Sequence, residues 1–126
     1  MPQQNSVAER FNRTVIEMAR AMMNTAGLSY TFWAEAVNTA VYIRNWAVSR
    51  SLCKESGNNS GQKDDNLTPE ELWTEMKPDI SHLRIFGSEA YVLAKGENRH
   101  KFEPKVDKHI FIGYDSIAYR LWNLEK

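Results

Sequence analysis

The hydrophobic period of this chain changes at Pro78. Before it, apolar residues recur every three or four positions, the spacing of a helix face. After it come short runs of β-branched and aromatic residues bounded by Gly87, Gly96, Gly113 and Asp115-Ser116, the pattern of strands and turns. Helices followed by strands predict an α+β fold: an N-terminal antiparallel helical hairpin, a short helix, and a small antiparallel β module.

The first helix is expected over about residues 8–26, with an apolar stripe of Ala8, Phe11, Val15, Met18, Ala19, Met22 and Ala26. Gly27 is its C-terminal stop. A second helix is expected from about Tyr30 to Ala47 or Val48, capped by Ser29 or Thr31. Its apolar residues, Trp33 and Val37 among them, surround much of the axis, so burial on more than one side follows. Only Gly27-Leu28-Ser29 joins the two helices, which favours antiparallel packing. Thr68-Pro69-Glu70-Glu71 announces a third helix with Thr68 as cap, Pro69 in the first turn and Glu71 in a capping box; Pro78 marks its end. Four strands are expected, at residues 83–86, 90–93, 109–112 and 119–122. Residues 53–66 hold no large apolar side chain and read as a flexible polar linker.

Charge and cysteine bound the function. The 16 basic and 16 acidic residues cancel, so any nucleic-acid contact must come from a local patch. Cys53 is the sole cysteine, which excludes an internal disulfide and points to a reducing compartment, nucleus or cytoplasm. It has no neighbouring base and reads as an incidental thiol. No apolar run is long enough for a membrane span, and charges run through the first 20 residues, unlike a secretory signal. His82, His100 and His109 with Cys53 do not match a zinc spacing.

Two groups of residues could carry chemistry. Glu9 and Arg13 lie four apart on the polar face of the first helix, with Glu17 and Arg20 beyond them. Spacing alone reads this as a ladder of surface ion pairs. Asn5, Gln4, Asn12 and Arg13 could also hydrogen-bond phosphates or base edges. In the β module, Lys95, Arg99, His100, Lys101, Lys105 and Lys108 cluster between two strands, diluted by Glu97, Glu103 and Asp107. Arg99, Lys101 and Lys105 are the DNA-contact candidates there, against the plainer reading of a solvated loop.

The string Pro2-Gln3-Gln4-Asn5-Ser6-Val7-Ala8-Glu9-Arg10-Phe11-Asn12-Arg13-Thr14 resembles the integrase motif of Copia-type retrotransposon Pol polyproteins. Further segments are similar to the same family: residues 32–40, Thr68-Pro69-Glu70-Glu71-Leu72-Trp73, His82-Leu83-Arg84-Ile85-Phe86-Gly87, Ile110-Phe111-Ile112-Gly113-Tyr114 and Tyr119-Arg120-Leu121-Trp122. The resemblance implies the C-terminal helices of an RNase H-like integrase core over residues 1–52, a linker over 53–67, and a short helix with an SH3-like module over 68–126.

It also implies a metal-dependent DNA integrase, a polynucleotidyl transferase in which three carboxylates hold two Mg2+ or Mn2+ ions. Glu9 is implied as the last of those carboxylates, both catalytic residue and metal ligand. The family's two aspartates lie upstream of this motif, and Asp64-Asp65 in the linker is no substitute. The expectation is therefore an integrase remnant, inactive in strand transfer by itself and binding no metal tightly alone. The alternative is a DNA-binding or protein-interaction module, acting through DNA, a second copy or an integrase subunit, with no membrane partner. Two departures from the family stand out. Ser6 replaces a glycine, which a positive φ would strain by roughly 1 kcal/mol, and the tip before Tyr119 is short, with Ala118 in place of glycine.

Overall fold

The computed structural model describes residues 2–48, 67–94, 96 and 100–124, with the backbone alone for residues 2–4. The polar linker with Cys53 and Asp64-Asp65, as well as Lys95 and Arg99, falls outside the described residues. Helix α1 (Pro2–Ala26) leads through a single 3-10 turn (Tyr30–Phe32) into α2 (Trp33–Trp46). Helix α3 (Pro69–Thr74) precedes the strands β1 (Glu89–Leu93), β2 (Val106–Tyr114) and β3 (Tyr119–Asn123). The sheet is antiparallel, in the order β1-β2-β3. Helices first and a small antiparallel sheet last make the α+β fold that the change of period predicts. The chain divides into two compact units, Met1–Ala40 with Arg84–Lys126, and Val41–Leu83, so the division falls within α2.

In the first unit, α1 begins at Pro2 rather than near Ala8. Proline is tolerated at the first helical position, because an N–H there has no intrahelical partner to lose. Ser6 therefore has helical backbone, and Glu75 is the one non-glycine residue of positive φ among those described, so serine carries no strain here. The helix stops as expected at Gly27, whose φ is +66°. Gly27 N–H donates to Asn24 O and Leu28 N–H to Met23 O, both at 3.3 Å, the paired bonds of a Schellman cap. Val15, Ala19 and Met23 are buried at four-residue spacing, with Phe11, Met18, Met22 and Ala26 half-buried beside them. Ala8 is exposed, so the buried stripe starts at Phe11.

The sheet's core is the second half of β2, where Ile110, Phe111, Ile112 and Tyr114 are buried. Pairing with β3 shifts from Phe111↔Leu121 to Gly113↔Arg120, which makes Ile112 an extra residue, a β-bulge. Small side chains bring α2 against this point: Ala36, Thr39 and Ala40 are all buried. Thr39 Oγ1 donates to Ile112 O at 2.9 Å, giving the bulge carbonyl a partner from outside the sheet. A Cβ on Gly113 would stand 3.1 Å from that same hydroxyl. Phe32 meets Trp122 edge to face at 5.4 Å, and Arg120 of β3 donates a hydrogen bond to Glu35 Oε1 of α2 at 2.9 Å, with a second guanidinium nitrogen 2.7 Å from Oε2.

Three strands stand among the described residues, where the sequence suggested four. Residues 83–86 form no ladder. A side chain holds them instead: the Tyr114 hydroxyl accepts from Arg84 N–H at 2.9 Å and donates to Arg84 O at 3.2 Å. Pairing with β2 starts only beyond, where Gly87 N–H donates to Phe111 O and Phe111 N–H to Ser88 O. Gly87 has φ +78°, and a Cβ there would lie 2.3 Å from the Ala26 Cβ, so glycine lets α1 end against this turn.

In the second unit, Thr68 caps α3 as predicted, its side chain accepting from Glu71 N–H at 3.1 Å. The helix ends at Thr74, before Pro78, because Glu75 takes the left-handed conformation at φ 58°. His82 is half-buried in an aromatic cluster, 4.8 Å from Trp46 and 6.0 Å from Tyr42 between ring centres. Its Nδ1 lies 3.0 Å from the Asp79 carbonyl, which can only accept, so Nδ1 carries the proton. Its Nε2 and the Tyr42 hydroxyl are hydrogen-bonded at 2.7 Å.

Candidate nucleic-acid interface

The helix α1 collects the N-terminal candidates. Asn5, Glu9, Asn12 and Arg13 follow at steps of four, three and one, which gathers them on one arc of the helix; Asn12 borders the buried Val15 and Ala19, while Glu9 and Arg13 turn further from them. All four are exposed. Gln4 belongs to the same helix, and its side chain falls outside the described residues. Glu9 stands two turns inside α1 rather than near its start, as the sequence suggested, because the helix begins at Pro2. Among the described residues, no ion pair links Glu9, Arg13, Glu17 and Arg20, so the expected surface ladder is not closed. These charges remain open to solvent. Thr14, by contrast, returns its hydroxyl to Arg10 O at 3.0 Å.

The basic loop of the β module lies between β1 and β2. Ala94 N–H donates to Lys105 O at 2.9 Å, and Glu103 N–H to His100 O at 3.1 Å. Lys101 and Lys105 are exposed. The Lys101 ammonium lies 5.9 Å from the Phe102 ring centre, and that ring is itself 94 % exposed. Arg99 falls outside the described residues. Lys108 leaves the cluster, because it pairs with Glu89 across the β1–β2 ladder. Hydrogen bonds from Lys108 and then from the Tyr91 hydroxyl hold the Glu89 carboxyl below its ordinary value, and the bond to Glu89 raises Lys108.

Among the described residues no group of three His, Cys, Asp or Glu side chains gathers to hold an ion. Glu9 supplies one exposed carboxylate, whereas a pair of hard divalent cations needs several oxygen donors. The residues present do not fit a self-contained two-metal site. Among the described residues, no helix is long and apolar enough to cross a membrane.

Sequence reading missed one feature. A groove of about 380 Å³ runs between α1 and α2, lined by Ile16, Ala19, Arg20, Met23, Asn24, Leu28, Tyr30, Trp33 and Val37. Trp33 was expected among the buried residues of α2, but it is 62 % exposed on this groove, and Tyr30 is 87 % exposed. Spacing gave no signal for it, because Trp33 stands three and seven residues before the buried Ala36 and Ala40; its exposure follows from its place in the first turn of α2.

Comparison with known proteins agrees with this arrangement. The family described as "Retroviral polymerase SH3-like domain" matches residues 88–126, the segment that holds all three strands. The chain is 40% identical over 124 residues to the Retrovirus-related Pol polyprotein from transposon TNT 1-94 of Nicotiana tabacum, covering 97% of this chain and 8% of that protein. It is 28% identical over 113 residues to the Pol polyprotein from transposon RE2 of Arabidopsis thaliana, covering 90% of this chain and 7% of that protein. An uncharacterized mitochondrial protein of Arabidopsis thaliana is 35% identical over 97 residues, which are 77% of this chain and 68% of that protein. No solved structure matches the chain. The chain thus spans less than a tenth of the length of the two polyproteins it matches. Similarity that runs through both helices and strands, with an SH3-like match over the strands, makes this chain a member of the Copia-type retrotransposon Pol polyprotein family.

Proposed function

We propose that this retrotransposon-derived chain is an integrase segment that binds DNA through the exposed side of α1, with the β1–β2 loop as a second contact. The observation that carries this reading is that Asn5, Glu9, Asn12 and Arg13 share one arc of the helix and are all exposed, beside the buried stripe of Val15, Ala19 and Met23. Amide side chains and a guanidinium suit phosphate oxygens and base edges. Lys101 and Lys105 add phosphate contacts without sequence preference. Glu9 in this reading is one carboxylate offered to a Mg2+ or Mn2+ site that other carboxylates complete. By itself the chain lacks strand-transfer activity, since a catalytic group that acts as a unit loses most of its rate when members are missing.

A gel-shift titration with duplex DNA tests the binding. The expected result is a shifted complex that weakens when Asn12 and Arg13 are changed to alanine, and again with Lys101→Ala. The reading fails if the duplex does not shift, or if the α1 changes leave the affinity as it was.

One observation favours a second reading, protein association. Leu72, Trp73 and Met76 at the end of α3 are exposed, Trp73 to 88 %. Apolar side chains grouped in this way mark contact surfaces. A second copy or an integrase subunit would cover them. Sedimentation of the chain over a range of concentrations separates the readings, since association through α3 is lost in Trp73→Ser and DNA binding is not.

A further inference from the structure

We infer that the groove between α1 and α2 holds an unpaired nucleobase, so that the chain prefers DNA with a single-stranded overhang to blunt duplex. The inference rests on the DNA-binding reading and names the kind of DNA. Its basis is the composition of the groove. Tyr30 and Trp33 present rings that are 87 % and 62 % exposed. Among the described residues neither ring has an aromatic partner, although Phe32 between them is engaged with Trp122.

Every base has a π-face, and stacking on an exposed tyrosine or tryptophan is the common way to hold a base that has left its duplex. The rest of the lining suits the same occupant. Arg20 is the one charged residue of the wall, and among the described residues it has no ion pair. It matches the phosphate that accompanies each base, and no carboxylate lines the groove to oppose it. The Asn24 amide supplies both a donor and an acceptor for a base edge. The groove volume, about 380 Å³, admits a base with part of its sugar.

Position adds to the case. Arg20 lies seven residues beyond Arg13 on α1, two helical turns, so the groove continues the proposed duplex-binding side along one rigid element. A duplex seated on Asn12 and Arg13 would deliver its frayed or overhanging end toward Tyr30 and Trp33. A purely apolar peptide would leave the Arg20 charge and the Asn24 amide without partners, at a desolvation cost a nucleotide avoids.

The test compares fluorescence anisotropy of the 126-residue chain with a blunt duplex, the same duplex carrying a three-thymidine overhang, and a free thymidine oligomer. The overhang should bind about tenfold tighter than the blunt end, the order expected for one stacked base. Tyr30→Ala with Trp33→Ala should lower overhang affinity to the blunt level, and Trp33→Phe should keep most of the preference. Quenching of tryptophan emission by the oligomer should be smaller in Trp33→Phe than in the parent chain, whose other tryptophans stay in place. Equal affinity for overhang and blunt duplex overturns the groove assignment while leaving duplex binding intact. Binding of neither overturns the duplex reading as well. A double variant that becomes monomeric from a dimer while keeping the overhang preference also overturns it, and marks the groove as a protein contact.

Discussion

The hydroxyl of Thr39 donates to the carbonyl of Ile112 across 73 positions of sequence, at 2.9 Å and fully out of water. This bond joins the helix that carries Trp33 to the bulge that bends β2. Replacing Thr39 with valine keeps the shape but leaves a buried carbonyl without this donor, which costs about 1–3 kcal/mol. Urea unfolding should show a loss in that range for Thr39→Val and partial recovery for Thr39→Ser. A valine variant as stable as the parent would mean that the bulge carbonyl has another partner.

The two positive-φ glycines should respond differently. Gly27 has nothing within 4 Å of a built Cβ, so Gly27→Ala should cost only the left-handed penalty, about 1–2 kcal/mol. Gly87→Ala adds a collision with the Ala26 Cβ at 2.3 Å, and should lower the melting temperature well beyond Gly27→Ala. Equal losses at the two sites would argue against close packing of α1's end on the turn at Gly87.

Glu35 and Arg120 form an ion pair closed by one hydrogen bond, with Arg120 close to half exposed. Water screens such a pair, so a double-mutant cycle of Glu35→Gln and Arg120→Met should give a coupling of about 0.5–1 kcal/mol. A coupling near zero would show that Phe32–Trp122 and Thr39–Ile112 hold α2 on the sheet without it.

Acid should weaken the β1–β2 hairpin. Folding lowers the Glu89 carboxyl below its ordinary 4.5, through the Lys108 and Tyr91 bonds. Its stabilisation is therefore complete above that pH and is lost as pH falls through the folded value. Lys108 is raised, so its part persists below the ordinary 10.5 and is lost in stronger alkali. Both side chains are exposed, so the effect is small. Comparing melting temperatures at neutral pH and below pH 4.5, Glu89→Gln should lose less than the parent chain. An identical acid response in both would remove Glu89 as a source.

Helix ends were legible where one residue enforces them. Gly27 stops α1 and Thr68 caps α3, because each satisfies backbone groups that the helix leaves unpaired. The start of α1 was hidden, since Gln3-Gln4-Asn5-Ser6 has no apolar member to show a period. The stop of α3 was hidden too, because a glutamate in left-handed conformation has no sequence signature like that of glycine. Residues 83–86 look like a strand by composition, yet the Tyr114 hydroxyl takes both polar groups of Arg84, a bond from 30 positions away that local pattern cannot show. The candidate site was readable in its spacing along α1, but not in its groove. Trp33 shares its helix side with the buried Ala36 and Ala40, yet it stands in the first turn of α2 and stays exposed, which periodicity does not show.

The salt dependence of duplex binding bears most directly on the central claim, that the exposed side of α1 holds DNA. Measured by anisotropy over a salt series, log affinity should fall linearly with log salt, as phosphate contacts require. Arg13→Ala should reduce the slope by about 1, and Lys101→Ala should do the same at the second contact. A duplex affinity that does not change with salt, or a slope that Arg13→Ala leaves unaltered, would contradict the account.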